Sequence, residues 1–294
     1  DLQEVLEGRL PENANELALH DIVIFYRVPA VPEVIKSIAR INAAGKISIY
    51  EIDDLIFDTI YPANLDTYGG YLSLDTHIEL RKGMALFNSA ARLCSYGLAS
   101  TLPLCDKLKA LVTTGICLLH RNGLDKHSII KPVDRENRDF IDIFYGSGTQ
   151  AHNSDFIEQA LPALTQILVK YPHVRLVIAG YLKLPTSFTE RFASQLKQVP
   201  PLSSIKAYWS LLQQADINLA VLHDDVINAC KSELKWFEAA CFGIPSVVSS
   251  TQNYRDVLVH GEDAYLATNE EEWVIALSHL IEDASLRKQI ADKA

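Results

Sequence analysis

Short apolar runs alternate with amphipathic stretches from one end of the chain to the other. Ile22–Tyr26 and Ile47–Ile52 read as strands, and between them the apolar residues at 34, 35, 38, 41 and 44 recur at helical spacing. Gly45 stands where that helix would stop. Leu74–Leu93 predicts a longer helix, Ser95–Ser100 a short strand and Leu102–Val112 another helix. Cys117–Leu119 then reads as a strand leading into Arg121-Asn122-Gly123. The pattern begins again with a strand at Ile141–Tyr145, a helix at Phe156–Lys170 and a strand at Val174–Ala179. Ser187-Phe188-Thr189-Glu190 has the spacing of a capping box. Asp216–Leu222 and Pro245–Ser249 read as strands around a helix at Glu233–Cys241. Asn269 is placed to cap the helix carrying Trp273, Leu277, Leu280 and Ile281.

Strands that are apolar nearly throughout, alternating with helices, predict parallel sheets covered on both faces. The expected fold class is α/β, with two Rossmann-like domains facing across a cleft. At ~100–200 residues per domain, 294 residues accommodate two. Residues 126–139 are charged and contain Pro132, so they read as the linker, with domains at 1–134 and 135–294.

Composition removes several function classes. The chain is 48% apolar and 22% charged, as in globular proteins. Its net charge of −10 opposes broad nucleic-acid binding. No run reaches the ~18–20 apolar residues of a membrane span, and the acidic start Asp1-Leu2-Gln3-Glu4 is unlike a signal peptide. Cys94, Cys105, Cys117, Cys230 and Cys241 form no C-x-x-C pair, so neither a disulfide framework nor a zinc site is expected. They read as reduced, buried thiols in a cytoplasmic protein.

Candidate chemistry concentrates in the second half. Lys235 and Glu238 stand at i, i+3 on one helix, which Gly243 would end with a left-handed cap before Pro245 and a buried strand. The pair could offer a cation to phosphate and a carboxylate to ribose hydroxyls; in isolation it reads first as a surface ion pair. The loop Gly146-Ser147-Gly148-Thr149 follows a strand and precedes a helix, where backbone and hydroxyls can approach a diphosphate. It matches neither G-x-G-x-x-G nor a P-loop, and a structural turn is its alternative. His152 reads as a phosphate contact or a surface histidine; Asn253 and Tyr254 follow a strand end and read as donor contacts or an ordinary loop. In the first half, Asp53 and Asp54 end a strand, where open α/β sheets bind ligands. They could orient an acceptor hydroxyl or stabilise a positively charged sugar, or cap a helix. Arg27, after the first strand, is a cleft candidate or a loop cation.

The stretch Lys231 to Ser249, with its helix ending in Glu238-Ala239 before Gly243-Ile244-Pro245, resembles the donor-binding signature of group-one (family four) retaining nucleotide-sugar glycosyltransferases, which have the GT-B fold. Tyr254 to Ala267, Ile143 to Thr149 and Ala215 to Leu219 fit the same register, so the resemblance covers residues 140–290 well and 20–125 more weakly. It implies a hexosyltransferase-type enzyme whose second domain holds the nucleotide sugar through Gly146, Ser147, Gly148, Thr149, Lys235, Glu238, Asn253 and Tyr254. The first domain would present a glycan or glycoconjugate acceptor, with Asp53 and Asp54 as the catalytic candidates. No metal and no cofactor beyond the nucleotide-sugar substrate is implied. The expected setting is polysaccharide biosynthesis in the cytoplasm, with peripheral association at the inner face of a membrane left open. Nucleic acid is not an expected partner.

The sequence departs from that pattern at three places. The first glutamate of the E-x7-E pair falls on Cys230, although Lys235 matches a branch with lysine three residues before the second glutamate. The glycine-rich first loop of the acceptor domain is missing, and the chain ends soon after Arg287. A fragment or a short member is therefore expected. A non-catalytic nucleotide-sugar or glycan-binding domain and a GT-B sugar-nucleotide epimerase stand as alternatives.

Overall fold

The computed structural model describes residue 17 and residues 19–59, 73–124, 138–148 and 152–294. They form two compact units. Unit 1 takes the described residues through Asn122 together with the short segment Ala229–Ser232; unit 2 takes the remainder. Most of the expected linker, residues 126–137, lies outside the described residues.

Unit 1 is a parallel sheet in the order β1 (Ile22–Tyr26), β2 (Ile47–Ile52), β3 (Tyr96–Ala99), β4 (Cys117–Leu119). Helices α1 (Pro32–Ala43), α2 (Leu74–Leu93) and α3 (Leu102–Lys109) connect successive strands. Pro32 sits in the first turn of α1, where its missing N–H costs nothing. Ser73 and Thr101 cap α2 and α3 through their hydroxyls. Strands added in sequence by right-handed crossovers put their helices on one face. Val23, Phe25, Tyr50, Ile52 and Ala99 are accordingly buried on that face, while Ile22, Ile24, Tyr26 and Leu118 on the other are exposed.

Unit 2 is a six-stranded parallel sheet in the order β10-β9-β8-β5-β6-β7. Its strands are β5 (Ile141–Ser147), β6 (Val174–Gly180), β7 (Leu196–Val199), β8 (Ile217–Ala220), β9 (Ser246–Ser249) and β10 (Tyr265–Ala267). The chain builds outward from β5 on one side, then returns to build from β8 on the other. The order therefore reverses between β5 and β8, and in open α/β sheets the crevice beyond the carboxyl ends of such strands holds the ligand. Helices α4 (Leu161–Lys170) and α10 (Glu270–Glu282) pack on one face around Ile143, Tyr145, Leu164 and Trp273. Helices α6 (Ile205–Leu212) and α8 (Leu234–Cys241) pack on the other around Phe144, Trp209, Leu212 and Phe242. Between them in sequence lie α5 (Thr186–Arg191) and α7 (Val226–Ala229); α9 (Gln252–Val257) precedes β10 and α11 (Ala284–Lys293) closes the chain. No helix among the described residues is long and apolar enough to cross a membrane.

Several expectations are corrected. The capping box at Ser187 does not form. Helix α5 begins two residues earlier, with the Pro185 carbonyl at its cap accepting from the amides of Phe188 and Thr189. The helix expected from Phe156 opens instead with a short turn at Asn153–Asp155 and a π-helical turn at Phe156–Ala160. Cys94, Cys105 and Cys230 are buried free thiols, but Cys117 is partly exposed and Cys241 exposed. Asn269 caps α10 as expected, accepting from the Glu272 amide at 3.0 Å.

Candidate functional site

In unit 2 the mouth of β5 is shaped by what lacks a side chain. A Cβ on Gly146 would lie 2.5 Å from the Tyr208 hydroxyl. Gly180 has φ +116°, and a Cβ there would stand 1.8 Å from the Ser147 carbonyl oxygen. That carbonyl accepts the Tyr181 amide at 3.1 Å. Ser147 is buried and Gly148 exposed; Thr149 lies outside the described residues.

Helix α8 runs from the carboxyl end of β8 back to the start of β9, so its first turn stands at the ligand edge of the sheet. Lys235, in that turn, holds its ammonium 4.8 Å from the centre of the Tyr145 ring, a favourable cation–π distance. Glu238, one turn deeper, is only 6% exposed, so the surface ion-pair alternative is excluded. The Trp209 indole N–H donates to Glu238 Oε1 at 2.9 Å. Burial pushes the Glu238 carboxyl above the usual glutamate range, while Trp209 and Lys235 pull it the other way.

Asn253 and Tyr254, expected at the mouth, are sealed beneath it. Asn253 is fully buried and donates to Glu233 Oε2 at 2.9 Å. Tyr254 packs among Leu222, Val248, Leu258 and Leu266, and burial pushes its phenol well up. Glu233, which the sequence offered only as the start of a helix, is thus a buried carboxylate at the N-cap of α8.

In unit 1 a cleft of about 320 Å³ opens at the strand ends, lined by Tyr26, Glu51, Asp53, Ser100, His120 and Asn122 among others. The sequence offers Asp53 and Asp54 equally; the structure parts them. Asp53 faces the cleft and accepts from Arg27 at 3.2 Å. Arg27 has φ +48°, an uncommon conformation for a residue with a side chain. Asp54 caps the Leu55 amide at 2.9 Å, and both of its oxygens accept from the Lys231 ammonium, at 2.9 and 2.8 Å.

Lys231 belongs to the segment Ala229–Ser232, which two further bonds hold within unit 1. Thr101 Oγ1 donates to the Cys230 carbonyl at 3.3 Å, and Asn122 Nδ2 donates to Ser232 Oγ at 2.9 Å. Cys230 is fully buried, and burial pushes its thiol up to about 12. A neutral thiol stands where the resembled pattern has a carboxylate. Among the described residues, no cluster of three or more His, Cys, Asp or Glu side chains is arranged to hold a metal ion.

Residues 154–294 match the family model described as glycosyl transferase-like. That match spans just under half of the chain, and both units have the Rossmann-like parallel α/β fold of GT-B proteins. Solved structures share the fold of this chain over nearly its whole length. HepE of Anabaena, crystallised in complex with UDP, matches with a TM-score of 0.60 and 13% identity over 95% of this chain and 74% of its own. TarM of S. aureus matches with a TM-score of 0.62 and 11% identity, covering 92% of this chain and 50% of its own. The lipopolysaccharide outer core galactosyltransferase WaaB, in its apo form, matches with a TM-score of 0.52 and 16% identity over 95% and 72%. At these identities the likeness speaks for the fold alone. No curated protein matches the chain.

Proposed function

We propose that this glycosyltransferase-like chain moves a sugar from a nucleotide-sugar donor to a glycan or other glycoconjugate acceptor, with retention at the anomeric carbon. The observation that carries the reading is Glu238: a buried carboxylate fixed by Trp209, beside a cationic Lys235, on the helix that opens at the switch-point edge. Such a carboxylate gains most from accepting paired ribose hydroxyls, and the ammonium gains from a diphosphate.

HepE has been crystallised with UDP-glucose and WaaB is a galactosyltransferase, so a UDP-hexose is the donor class we assign. Lys235 and the Gly146-Ser147-Gly148-Thr149 loop would neutralise charge on the departing nucleoside diphosphate, where electrostatic stabilisation counts most. Glu238 would hold the ribose. Asn253 and Tyr254 support the site from beneath, Asn253 by holding Glu233. Asp53, in the cleft of unit 1, would orient the acceptor hydroxyl, while Asp54 holds the 229–232 segment through Lys231. The donor is a substrate, and no resident cofactor enters this scheme. Five free thiols support a reducing, cytoplasmic setting, with the acceptor at the inner face of a membrane.

The test is turnover of labelled UDP-hexoses with and without glycan acceptors. Acceptor-dependent release of UDP supports the proposal. Binding without any turnover would favour a non-catalytic domain. Interconversion of the donor without UDP release would favour an epimerase.

A further inference from the structure

The two stretches of chain that follow β5 and β8 add no permanent cation to Lys235 at this edge. Residues 146–155, which leave β5, and residues 220–230, which leave β8, contain neither Lys nor Arg. Each stretch instead contributes one histidine to a shared carboxylate. Asp155 is 5% exposed. His152 Nδ1 lies 3.0 Å from its Oδ2, and His223 Nε2 lies 3.7 Å from its Oδ1.

The remaining neighbours define what the cluster can bind. His223 Nε2 is also 3.3 Å from Glu158 Oε2, and its Nδ1 is 3.0 Å from the Gln159 amide nitrogen. Asn228 Nδ2 reaches Asp155 Oδ2 at 3.4 Å and Asp225 Oδ2 at 3.2 Å. The Asn228 side chain is 4% exposed, and its Oδ1 has no hydrogen-bond partner among the described residues. A buried acceptor without a donor is uncommon in folded proteins and calls for a hydroxyl or water. Below the cluster lies Tyr145, with Lys235 over its ring.

With its Nδ1–H given to Asp155, His152 can donate through Nε2 only when protonated. A phosphate beside Asp155, Glu158 and Asp225 would meet carboxylate repulsion unless the imidazoles carried charge. We infer that His152, held by Asp155, joins Lys235 as a cationic contact for the donor's diphosphate, with His223 adding charge beside the same carboxylate, and that donor binding takes up protons at this pair. This inference rests on the transferase reading. It makes these imidazoles donor-binding residues, with Asp155 and Asn228 positioning them.

The test is calorimetric titration of the full chain with UDP-glucose, ADP-glucose and GDP-mannose at pH 6.0 and 8.0. The charge on their diphosphate diesters stays constant across that range, so a change reports on the protein. The best-bound probe should bind about tenfold more tightly at pH 6.0, because imidazole is the side chain that ordinarily changes charge in this interval. Titrations in buffers of different ionisation enthalpy should show net proton uptake. His152→Gln with His223→Gln should bind equally at both pH values, at about the wild-type pH 8.0 affinity. If that pair fails to fold, His152→Asn, whose amide can still donate to Asp155, should lose most of its share of the pH dependence. Equal wild-type affinity at both pH values, or an unchanged dependence in folded variants, would overturn the inference while leaving the transferase reading intact. Failure of every probe at both pH values would overturn both.

Discussion

The Trp209 indole donates at 2.9 Å to Glu238, a carboxylate that the fold has taken almost wholly out of water. Removing a carboxylate from water favours its protonated form, and here burial is the largest influence on Glu238. The folded chain therefore holds that proton to higher pH than the unfolded chain does. The stabilising contribution is complete below the ordinary glutamate value and is lost as pH rises through the raised, folded-state value. Glu238→Gln keeps an acceptor for the indole and cannot ionise. Its melting temperature should gain on wild type between pH 4 and pH 7, while its affinity for the donor falls by ~1.5–3 kcal/mol. A constant melting difference across that range would show that Glu238 is not shifted.

Lys231 and Asp54 should behave as one unit. Their side chains are about a quarter exposed, which discounts the pair, so Asp54→Asn and Lys231→Met should each cost about 1–2 kcal/mol. The double variant should cost little more than either alone, because both singles remove the same bond. Additive losses in denaturant melts would contradict the pairing.

Asp53→Asn should act differently, because that carboxylate faces the 320 Å³ cleft. Transfer should fall by at least about a hundredfold, the scale of losing a positioned acid–base group, with donor affinity and melting temperature unchanged. Normal turnover in this variant would remove Asp53 from the reaction.

Gly146→Ala should destabilise the protein by about 1–3 kcal/mol through overpacking, since the new methyl would meet the Tyr208 hydroxyl at 2.5 Å. Adding Tyr208→Phe removes the nearest atom and should recover part of the loss. The ring carbons at 2.8 and 3.0 Å make complete recovery unexpected.

Much of this fold is legible in the sequence because its parallel strands are buried on both faces. Tyr145, Leu219 and Val247 therefore stand in apolar runs that periodicity detects. β7 escapes that reading, because Lys197 and Gln198 sit on a sheet edge with exposed side chains. The site is legible only where chemistry is local. Lys235 and Glu238 share one helix face, so spacing offers them as a pair. Asp54 and Lys231 are 177 positions apart, and no spacing announces such a partner. His223, beside two aspartates after a buried strand, carries a weak signal in retrospect. Its meaning depends on Asp155, which only the reversal between β5 and β8 brings near. For Asn253 and Tyr254, a strand-end position does not reveal whether the next helix turns its side chains outward or inward; here both are buried.

The most direct measurement of the central claim compares UDP with uridine on Lys235→Ala. If unit 2 holds a nucleotide sugar with Lys235 on the diphosphate, wild type binds UDP saturably. The variant then loses affinity for UDP about tenfold or more while uridine binding stays the same, because only phosphate meets the ammonium. Equal losses for both ligands in a folded variant, or undiminished UDP binding, would contradict the account.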